Sequence, residues 1–237
     1  MSEARIGKEW YDSTAYFDEP DHLTDYDSPF QRYRVDKVLD LYRPGPGERV
    51  VDLGCGWGTF SFALAGIAAE VVGVDFSEKS IALCNRRLER EPRNNLRFVC
   101  ADGGDTRLEA GAWDLVLAAD LFEHLYPEDS LRVAAEAFRL LRPGGRLSVW
   151  TPHRGHVLEI LKNHDILLKR DVSHVDYKSM ARMTGLLRGA GFEIERAYYA
   201  ESHVPGLRAV ERLLQGFVPA LRRRVAVLGR KPGLRWR

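Results

Sequence analysis

The sequence has little of what marks a secreted, membrane-spanning or cysteine-liganded protein. Its three cysteines, Cys55, Cys84 and Cys100, are an odd number without C-x-x-C spacing, so we expect free thiols and no disulfide. No run of about 18 apolar residues exists to span a bilayer, and the segment Met1–Arg5 lacks an apolar signal core. These absences predict a cytoplasmic protein.

The chain also lacks a strong excess of charge of either sign. Its 35 lysines and arginines nearly balance 34 aspartates and glutamates, and the formal net charge is +1. A nucleic-acid-binding protein usually carries a strong basic field, so this balance argues against a nucleic-acid partner. With 237 residues, 45% of them hydrophobic, the chain can bury a substantial core. Alternating strand and helix patterns place it in the α/β class.

The most informative stretch present is the run V-V-D-L-G-C-G-W-G-T at residues 50–59. A short apolar strand carries Asp52 near its end and is followed by Gly54, Gly56 and Gly58. Glycine lets the backbone turn sharply and approach a ligand without a Cβ in the way. A dinucleotide fingerprint reads G-x-G-x-x-G, but the third glycine comes one residue early here, and Asp52 would repel a pyrophosphate. The pattern favours a nucleoside-like ligand that carries positive charge.

Two further aspartates follow the next predicted strands. The strand that ends at Asp75 places this carboxylate 21 residues after Gly54, where it can hold a ribose diol. The strand at residues 96–100 leads to Asp102, which can accept a hydrogen bond from an exocyclic amine such as that of adenine. Each aspartate also fits a simpler role as a helix cap or a solvated turn residue.

Taken in order, these motifs resemble the class I S-adenosylmethionine-dependent methyltransferases. The matching elements are V-D-L-G-C-G-x-G, the acidic end of the second strand, A-D after the third, W-D-L-V-L-A-A-D in the fourth, and L-L-R-P-G-G-R-L before the fifth. The resemblance covers residues 45–150 well. It implies a Rossmann-like seven-stranded mixed sheet with helices on both faces and an antiparallel last strand. It also implies that residues 1–237 form a single methyltransferase domain.

The same resemblance implies S-adenosylmethionine as the cofactor. In that family the glycine loop wraps the methionine part, the acid of the second strand holds the ribose, and the acid of the third strand contacts the adenine. The cofactor-binding residues implied for this chain are Asp52, Gly54, Cys55, Gly56, Gly58, Asp75, Phe76, Asp102, Gly103 and Asp120.

The catalytic residues are expected after the fourth strand, where the methyl group would face the acceptor. Methyl transfer from a sulfonium needs an aligned acceptor, exclusion of water and removal of a proton. Glu123 and His124 form an E-H pair that recurs in small-molecule members of the family, and His124 is the candidate base because an imidazole has a pKa of about 6.5. Both side chains also fit packing or capping at a helix start. We expect a small-molecule acceptor, with a hydroxyl group favoured over nitrogen or carbon.

Histidines are concentrated beyond the fifth strand, in the family's variable substrate-specifying region. We predict substrate contacts by His153, His156, His174 and Tyr177, with helix capping as the alternative role. His153 and His156 could join Glu123 or His174 around a metal, but the carboxylate-rich ligand set expected for magnesium is not evident, so no metal is predicted. Residues 151–190 and 200–222 are expected to be substrate-side insertions.

The two ends of the chain carry the remaining signals. Residues 1–30 are polar and aromatic, and the segment E-W-Y-D at residues 9–12 resembles the start of ubiquinone-pathway O-methyltransferases, so we predict a lid-like leader. Packing of its aromatic side chains on the sheet is the alternative. Near the other end, a helical apolar stripe that includes Leu213, Leu214 and Phe217 is expected to be core. The adjoining arginines 222–224 also allow contact with an anionic lipid surface.

Two other functions fit parts of this pattern. A nicotinamide-dependent oxidoreductase would use Asp75 in the same way, although the glycine spacing and Asp52 disfavour it. A non-catalytic partner subunit would bind S-adenosylmethionine without an open acceptor pocket. The sequence leaves the acceptor, which can be lipid- or sugar-linked, and the oligomeric state open.

Overall fold

The computed structural model describes residues 5–17, 26–164, 171–202 and 205–233. Residues 1–4 and 18–25 of the predicted leader, and residues 165–170 and 203–204 of the predicted insertions, lie outside the described residues. None of the helices in the described ranges is both long and apolar enough to cross a membrane.

One mixed sheet organises the described part of the chain. Its seven strands are β1 (Arg49–Leu53), β2 (Glu70–Asp75), β3 (Leu96–Cys100), β4 (Trp113–Ala119), β5 (Leu141–Pro152), β6 (Glu193–Ala200) and β7 (Arg224–Arg230). Their order in the sheet is β3-β2-β1-β4-β5-β7-β6. The pairs among β1 to β5 are parallel, whereas β7 runs antiparallel to both β5 and β6. The predicted fold class is confirmed.

Eight α-helices and three short 3₁₀ turns surround this sheet within the described ranges. The helices are α1 (Lys8–Ser13), α2 (Pro29–Leu41), α3 (Thr59–Ala65), α4 (Glu78–Arg90), α5 (Pro127–Leu140), α6 (Val157–Asn163), α7 (Met180–Gly189) and α8 (Pro205–Leu214). The 3₁₀ turns are Ala15–Phe17, Phe122–His124 and Pro219–Leu221. Ser77 caps α4, as predicted, by accepting a hydrogen bond from the backbone N–H of Ser80 at 3.2 Å.

The core lies in two layers, one on each face of the sheet. Val50 and Val51 are neighbours in β1 and both are fully buried, but they belong to opposite layers because side chains alternate across a strand. The layer of Val51 is covered by α5 and α7, and the layer of Val50 by α2 and α3. Burial on both faces explains why β1 reads as a continuous apolar run.

The sequence predicted that the P-G-G segment at residues 143–145 precedes β5. In the structure this segment lies within β5, which begins at Leu141. Leu141 already pairs with Trp113, and the register shifts before Arg146 pairs with Leu115. A Cβ on Gly145 would lie 3.0 Å from the backbone oxygens of Arg142 and Trp113, so the irregular pairing needs glycine there. Residue propensities alone predict a strand boundary at P-G-G, because this cross-strand contact leaves no signal in the local sequence.

The apolar stripe after β6 is not core, and the expectation for it was wrong. Leu213 is 76% exposed and Phe217 is 87% exposed. The helix α8 ends at Leu214, and the chain then turns through Gly216 instead of continuing one helical face to Leu221. Helical spacing identifies an amphipathic face, but only the tertiary structure decides what the face contacts.

Candidate active site at the carboxyl edge of the sheet

The glycine loop after β1 leaves room beside one of its three glycines. Gly54, Gly56 and Gly58 all have left-handed backbones, with φ of 70°, 51° and 76°. A Cβ on Gly54 would lie 2.7 Å from the Cδ1 atom of Leu121, and one on Gly58 would lie 3.1 Å from the Sγ atom of Cys84. A Cβ on Gly56 would meet no atom of the described chain within 4 Å. Gly56 therefore borders a cradle that a side chain would fill, as close approach to a ligand requires.

Asp75 ties this loop to the end of β2. Its Oδ2 atom accepts a hydrogen bond from the backbone N–H of Gly56 at 3.0 Å, and its Oδ1 atom accepts one from Ser77 at 2.9 Å. Burial raises the pKa of Asp75 to about 6, although these two N–H donors favour the charged form. Each carboxylate oxygen has a second lone pair, so Asp75 can still accept hydrogen bonds from a diol.

Asp52 and Cys55, which are also predicted to bind the cofactor, have buried side chains. Asp52 is 1% exposed and accepts a hydrogen bond from the hydroxyl of Ser61 in α3 at 2.6 Å. Burial raises the pKa of Asp52 to about 7. Burial also raises the pKa of the Cys55 thiol, and the neighbouring Cys84 adds to the shift. The side chains of Asp52 and Cys55 thus contact other buried residues, Ser61 and Cys84. A role of either side chain at the cofactor stays a prediction.

Asp102 lies at the surface after β3. Its Oδ2 atom accepts a hydrogen bond from the guanidinium of Arg132 at 2.8 Å, and its Oδ1 atom accepts one from the backbone N–H of Gly104. A Cβ on the neighbouring Gly103 would be in ordinary contact with the Cγ2 atom of Val133, at 3.5 Å. The ring of Phe76 lies 5.4 Å from that of Tyr11. Each carboxylate oxygen of Asp102 keeps a second lone pair, so contact of Asp102 with an adenine is compatible with the ion pair and stays a prediction.

Asp120, directly after β4, joins distant parts of the chain. Its carboxylate accepts hydrogen bonds from Arg34 of α2 and Arg224 of β7, each at 2.5 Å. Burial opposes ionisation, but Arg224 and Arg34 hold the pKa of Asp120 well below its usual range. Each carboxylate oxygen is held by one arginine in this arrangement, and cofactor binding by Asp120 stays a prediction.

Glu123 lies in the 3₁₀ turn after β4 and is 1% exposed. Its Oε2 atom accepts a hydrogen bond from the hydroxyl of Thr151 at 2.8 Å. Burial, and then the negative charge of Asp120, raise the pKa of Glu123 to about 8. Burial therefore favours the protonated form of this carboxyl group.

His124, the next residue, is held through one ring nitrogen. Its Nδ1 atom lies 3.1 Å from the carbonyl oxygen of Ser173 and 3.0 Å from the hydroxyl of Tyr11. Because a carbonyl oxygen can only accept, the contact with Ser173 requires the proton on Nδ1. The Nε2 atom then carries the lone pair of the neutral ring. Burial lowers the pKa of His124, which favours this neutral form.

His174 and Tyr177 lie beside His124. The two histidine rings have centroids 4.8 Å apart, and the Nδ1 atom of His174 lies 2.8 Å from the hydroxyl of Tyr177. That hydroxyl donates to Glu159 of α6 at 3.2 Å. Burial, and then His124, lower the pKa of His174 to about 3. One ligand atom from each of Glu123, His124 and His174 lies within 4.8 Å of the others, so the absence of a metal stays a prediction.

The structure separates the roles of His153 and His156. His156 is fully buried, accepts a hydrogen bond from the backbone N–H of Leu158 and lies 2.8 Å from a carboxylate oxygen of Glu211 in α8. It caps α6 and links it to α8. The ring of His153 lies 5.3 Å from that of Tyr199, and its buried Nδ1 atom has no hydrogen-bond partner among the described residues. A substrate contact is thus easier for His153, and both predicted contacts stay predictions.

The leader supplies a residue that the sequence reasoning did not single out. Tyr11 is buried, packs against the rings of Trp10, Tyr16 and Phe76, and reaches His124 with its hydroxyl. Next to it, Asp12 accepts a hydrogen bond from the hydroxyl of Ser77 at 2.6 Å, at the start of α4. The W-Y-D motif in a polar stretch was the available signal, but its partner could not be read from the sequence.

These features define a Rossmann-like α/β protein with an open cradle at the carboxyl edge of its sheet. A family model described as a methyltransferase domain matches residues 50–145. A demethylmenaquinone methyltransferase of Clavibacter sepedonicus is 31% identical, over 71% of this chain and 69% of that protein. The chain belongs to the S-adenosylmethionine-dependent methyltransferases, and the oxidoreductase and non-catalytic alternatives are set aside.

Other similar proteins agree with this family. A ubiquinone biosynthesis O-methyltransferase of Aromatoleum aromaticum is 29% identical over 78% of this chain and 76% of that protein. A probable S-adenosylmethionine-dependent methyltransferase of Mycolicibacterium smegmatis is 32% identical over 63% of this chain, which spans about half (53%) of that relative. The phosphoethanolamine N-methyltransferase 2 of Haemonchus contortus, solved with S-adenosyl-L-methionine, has the same fold, with a TM-score of 0.69 at 17% identity over 95% of this chain and 60% of that chain.

S-adenosylmethionine is therefore the cofactor, and the residues at the sheet edge fit it. The open cradle beside Gly56 gives a nucleoside room to approach the backbone, and Asp75 presents acceptors to a ribose diol beside that cradle. The aromatic side chains of the leader cover the same edge, which suits a ligand that must be shielded from water.

Proposed function

We propose that this methyltransferase transfers a methyl group to a hydroxyl group of a small molecule and that His124 removes the hydroxyl proton. The observation that carries the proposal is the contact of the His124 Nδ1 atom with the Ser173 carbonyl oxygen at 3.1 Å. This contact orients the ring and leaves Nε2 as the proton acceptor. A base fixed in this way, at the edge of the sheet beyond β4, is what an O-methylation requires.

The residues around His124 support this role. Bound S-adenosylmethionine supplies an activated methyl group, so the protein mainly aligns the acceptor, excludes water and takes up one proton. Burial raises the pKa of the Tyr11 hydroxyl, which therefore stays protonated and can donate a hydrogen bond to the acceptor. We assign Glu123 a positioning role, because burial favours its protonated form and its Oε2 atom accepts the hydrogen bond from Thr151.

The names of similar proteins favour a hydroxyl acceptor. The relative from Aromatoleum aromaticum is named as an O-methyltransferase of ubiquinone biosynthesis. The neighbour from Haemonchus contortus is named as an N-methyltransferase, so its 17% identity supports only the shared fold. We propose an acceptor of low molecular weight, free or linked to a lipid or sugar, no nucleic-acid partner, and a cytoplasmic location that cell fractionation can check.

Replacement of His124 tests the proposal. His124→Ala is expected to lower turnover by roughly 10² to 10⁴ and to leave the affinity for S-adenosylmethionine nearly intact, because the proposed cofactor contacts lie at β1 to β3. In the unmodified enzyme kcat/KM should rise with pH up to the lowered pKa of His124, below 6.5, and then level off. The variant should lack this rise.

The matched control is His164→Ala, at an exposed histidine directly after α6. Normal turnover is expected for this control. Unchanged turnover in His124→Ala would overturn the base assignment and direct attention to His153 or His174. Loss of both cofactor binding and turnover would indicate a structural role instead. The acceptor itself is best sought by comparing metabolites in cells with and without the active enzyme.

A further inference from the structure

The outer surface of α8 and the turn after it exposes a group of large apolar side chains. We call this group the α8 patch; its members are Val210, Leu213, Leu214, Phe217 and Val218. Leu213 is 76% exposed and Phe217 is 87% exposed, and the other three are 38–46% exposed. Single exposed apolar residues are common, but a contiguous group of this size indicates a surface that contacts something apolar.

The neighbouring helix α6 extends the same kind of surface. Val157 and Ile160 are 36% and 43% exposed, and Arg154 just before the helix is also exposed. The two helices are joined on their buried sides by the contact of His156 with Glu211 at 2.8 Å. The apolar surface is thus presented by two linked helices on the acceptor side of the sheet.

Charge around the α8 patch has one sign on the exposed side. Residues 205–224 contain five arginines and one acidic residue, Glu211, which is fully buried. In residues 153–164 the single acidic residue is Glu159, which is also buried and pairs with Arg223. Exposed acidic side chains are therefore absent from these two described segments, while Arg208, Arg212 and Arg222 flank the apolar group. Of these three arginines, Arg212 also pairs with the buried Glu201 at 2.6 Å.

We propose that the α8 patch docks on the surface of an anionic lipid bilayer. Apolar side chains bordered by arginines match the interface of such a bilayer, where acyl chains lie beneath phosphate groups. A second copy of this chain fits less well, because a twofold contact through this face would bring the same arginines together. The docking involves one face of the molecule and needs no membrane-spanning helix.

This docking would bring the site to the membrane surface. The buried side of α6 contributes Glu159, which accepts the hydrogen bond from Tyr177 next to His174. Contacts through α8 and α6 thus connect the α8 patch to His174 at the sheet edge. Membrane binding itself is independent of the proposed O-methylation, so each can fail without the other.

Sedimentation with lipid vesicles tests the proposal. The full chain should bind vesicles made of equal parts phosphatidylcholine and phosphatidylglycerol at low salt, bind those of phosphatidylcholine alone much less, and lose binding as salt rises. The double variant Leu213→Gln, Phe217→Gln should lose at least tenfold in vesicle affinity. Arg208→Gln should lose about fivefold.

Matched controls come from other surfaces. Leu131→Gln replaces a leucine that is 61% exposed on α5, and Arg86→Gln replaces an exposed arginine on α4; both should bind vesicles normally. All the replaced side chains are exposed or half-exposed, so circular dichroism and melting should be unchanged. No binding to the anionic vesicles at low salt would overturn the proposal. So would equal binding by the double variant, or a dimer in solution that the double variant dissociates.

Discussion

At the scale of single residues, the carboxylates of Asp75 and Asp102 lie in different surroundings. Asp75 is buried and holds the N–H of Gly56 beside the open cradle, whereas Asp102 is exposed and paired with Arg132. Asp75→Ala should weaken S-adenosylmethionine binding by about 1.5 to 3 kcal/mol, since a charged acceptor of two hydrogen bonds is removed. Calorimetry on the folded variants measures this change.

Asp102→Ala is the comparison for that experiment. The expected loss is smaller, because the Asp102 side chain is 52% exposed and its charge is already shared with Arg132, so its contact with the adenine competes with water. Equal losses for both variants would contradict this ranking of the two carboxylates. An Asp75→Ala variant with unchanged affinity would contradict the ribose assignment.

The buried carboxyl group of Asp52 makes the stability of the folded protein depend on pH. Its pKa is raised from 3.8 to about 7 by burial, so the folded protein holds this proton more tightly than the unfolded chain does. The resulting stability is fully present below about pH 4 and is lost as the pH rises through about 7. At pH 8 the Asp52→Asn variant should therefore have a free energy of unfolding higher than that of the unmodified protein by up to about 4 kcal/mol, and a higher melting temperature. Both differences should disappear near pH 4.

Melting curves without cofactor at several pH values check this result. Asp36→Asn, at an exposed position of α2, removes one negative charge without removing a buried one and should show no such gain. A constant difference between Asp52→Asn and the unmodified protein at all pH values would mean that Asp52 is ionised in the folded state throughout.

At the scale of elements, the leader is predicted to act as a lid and not as part of the sheet. Its described residues pair with no strand, and α1 contacts α4 through Asp12 and the hydroxyl of Ser77. A chain that begins at Ser28 keeps the cap of α2 and should fold, bind S-adenosylmethionine more weakly and lose methyl transfer. Circular dichroism, a cooperative melt and calorimetry separate these outcomes.

Tyr11→Phe tests the same element with a smaller change. The ring stays in the aromatic cluster, but the hydroxyl next to His124 is lost, so turnover should fall by about tenfold while cofactor affinity changes little. Tyr42→Phe, which removes a hydroxyl bonded to Glu48, is the control.

The chain that begins at Ser28 has two outcomes that would contradict the lid. If this chain does not fold, the leader is part of the core. If it transfers methyl groups normally, the leader is not a lid.

Elements were predictable where local pattern and tertiary contact agree. The bounds of β1 and β3 follow from apolar runs that end at turn residues, and the Ser77 cap follows from its position before α4. The contact of Tyr11 with His124 joins residues 113 positions apart, and the exposure of Phe217 depends on what lies around α8. Neither leaves a local signature, because periodicity reports a face and not its neighbour.

At the scale of the whole molecule, folding assembles a cluster that no single segment contains. Glu123 and His124 follow β4, whereas His174 belongs to the segment before α7, and their ligand atoms come within 4.8 Å. We still expect catalysis without a metal, because the orientation of His124 by Ser173 already provides a base. Prolonged treatment with EDTA should leave activity within about twofold. Lost activity that magnesium or zinc restores would instead assign a cation to this cluster.

The order of the strands also bears on how the chain is made. β7 lies between β5 and β6 in the sheet, although it follows both of them along the chain. While a ribosome is still synthesising the protein, β6 has no strand to pair with, and the edge of β5 stays open until residues 224–230 emerge. Arg224 belongs to the same strand, so Asp120 also acquires its second arginine only then. A nascent chain halted before β7 would therefore expose an unpaired edge that chaperones can bind.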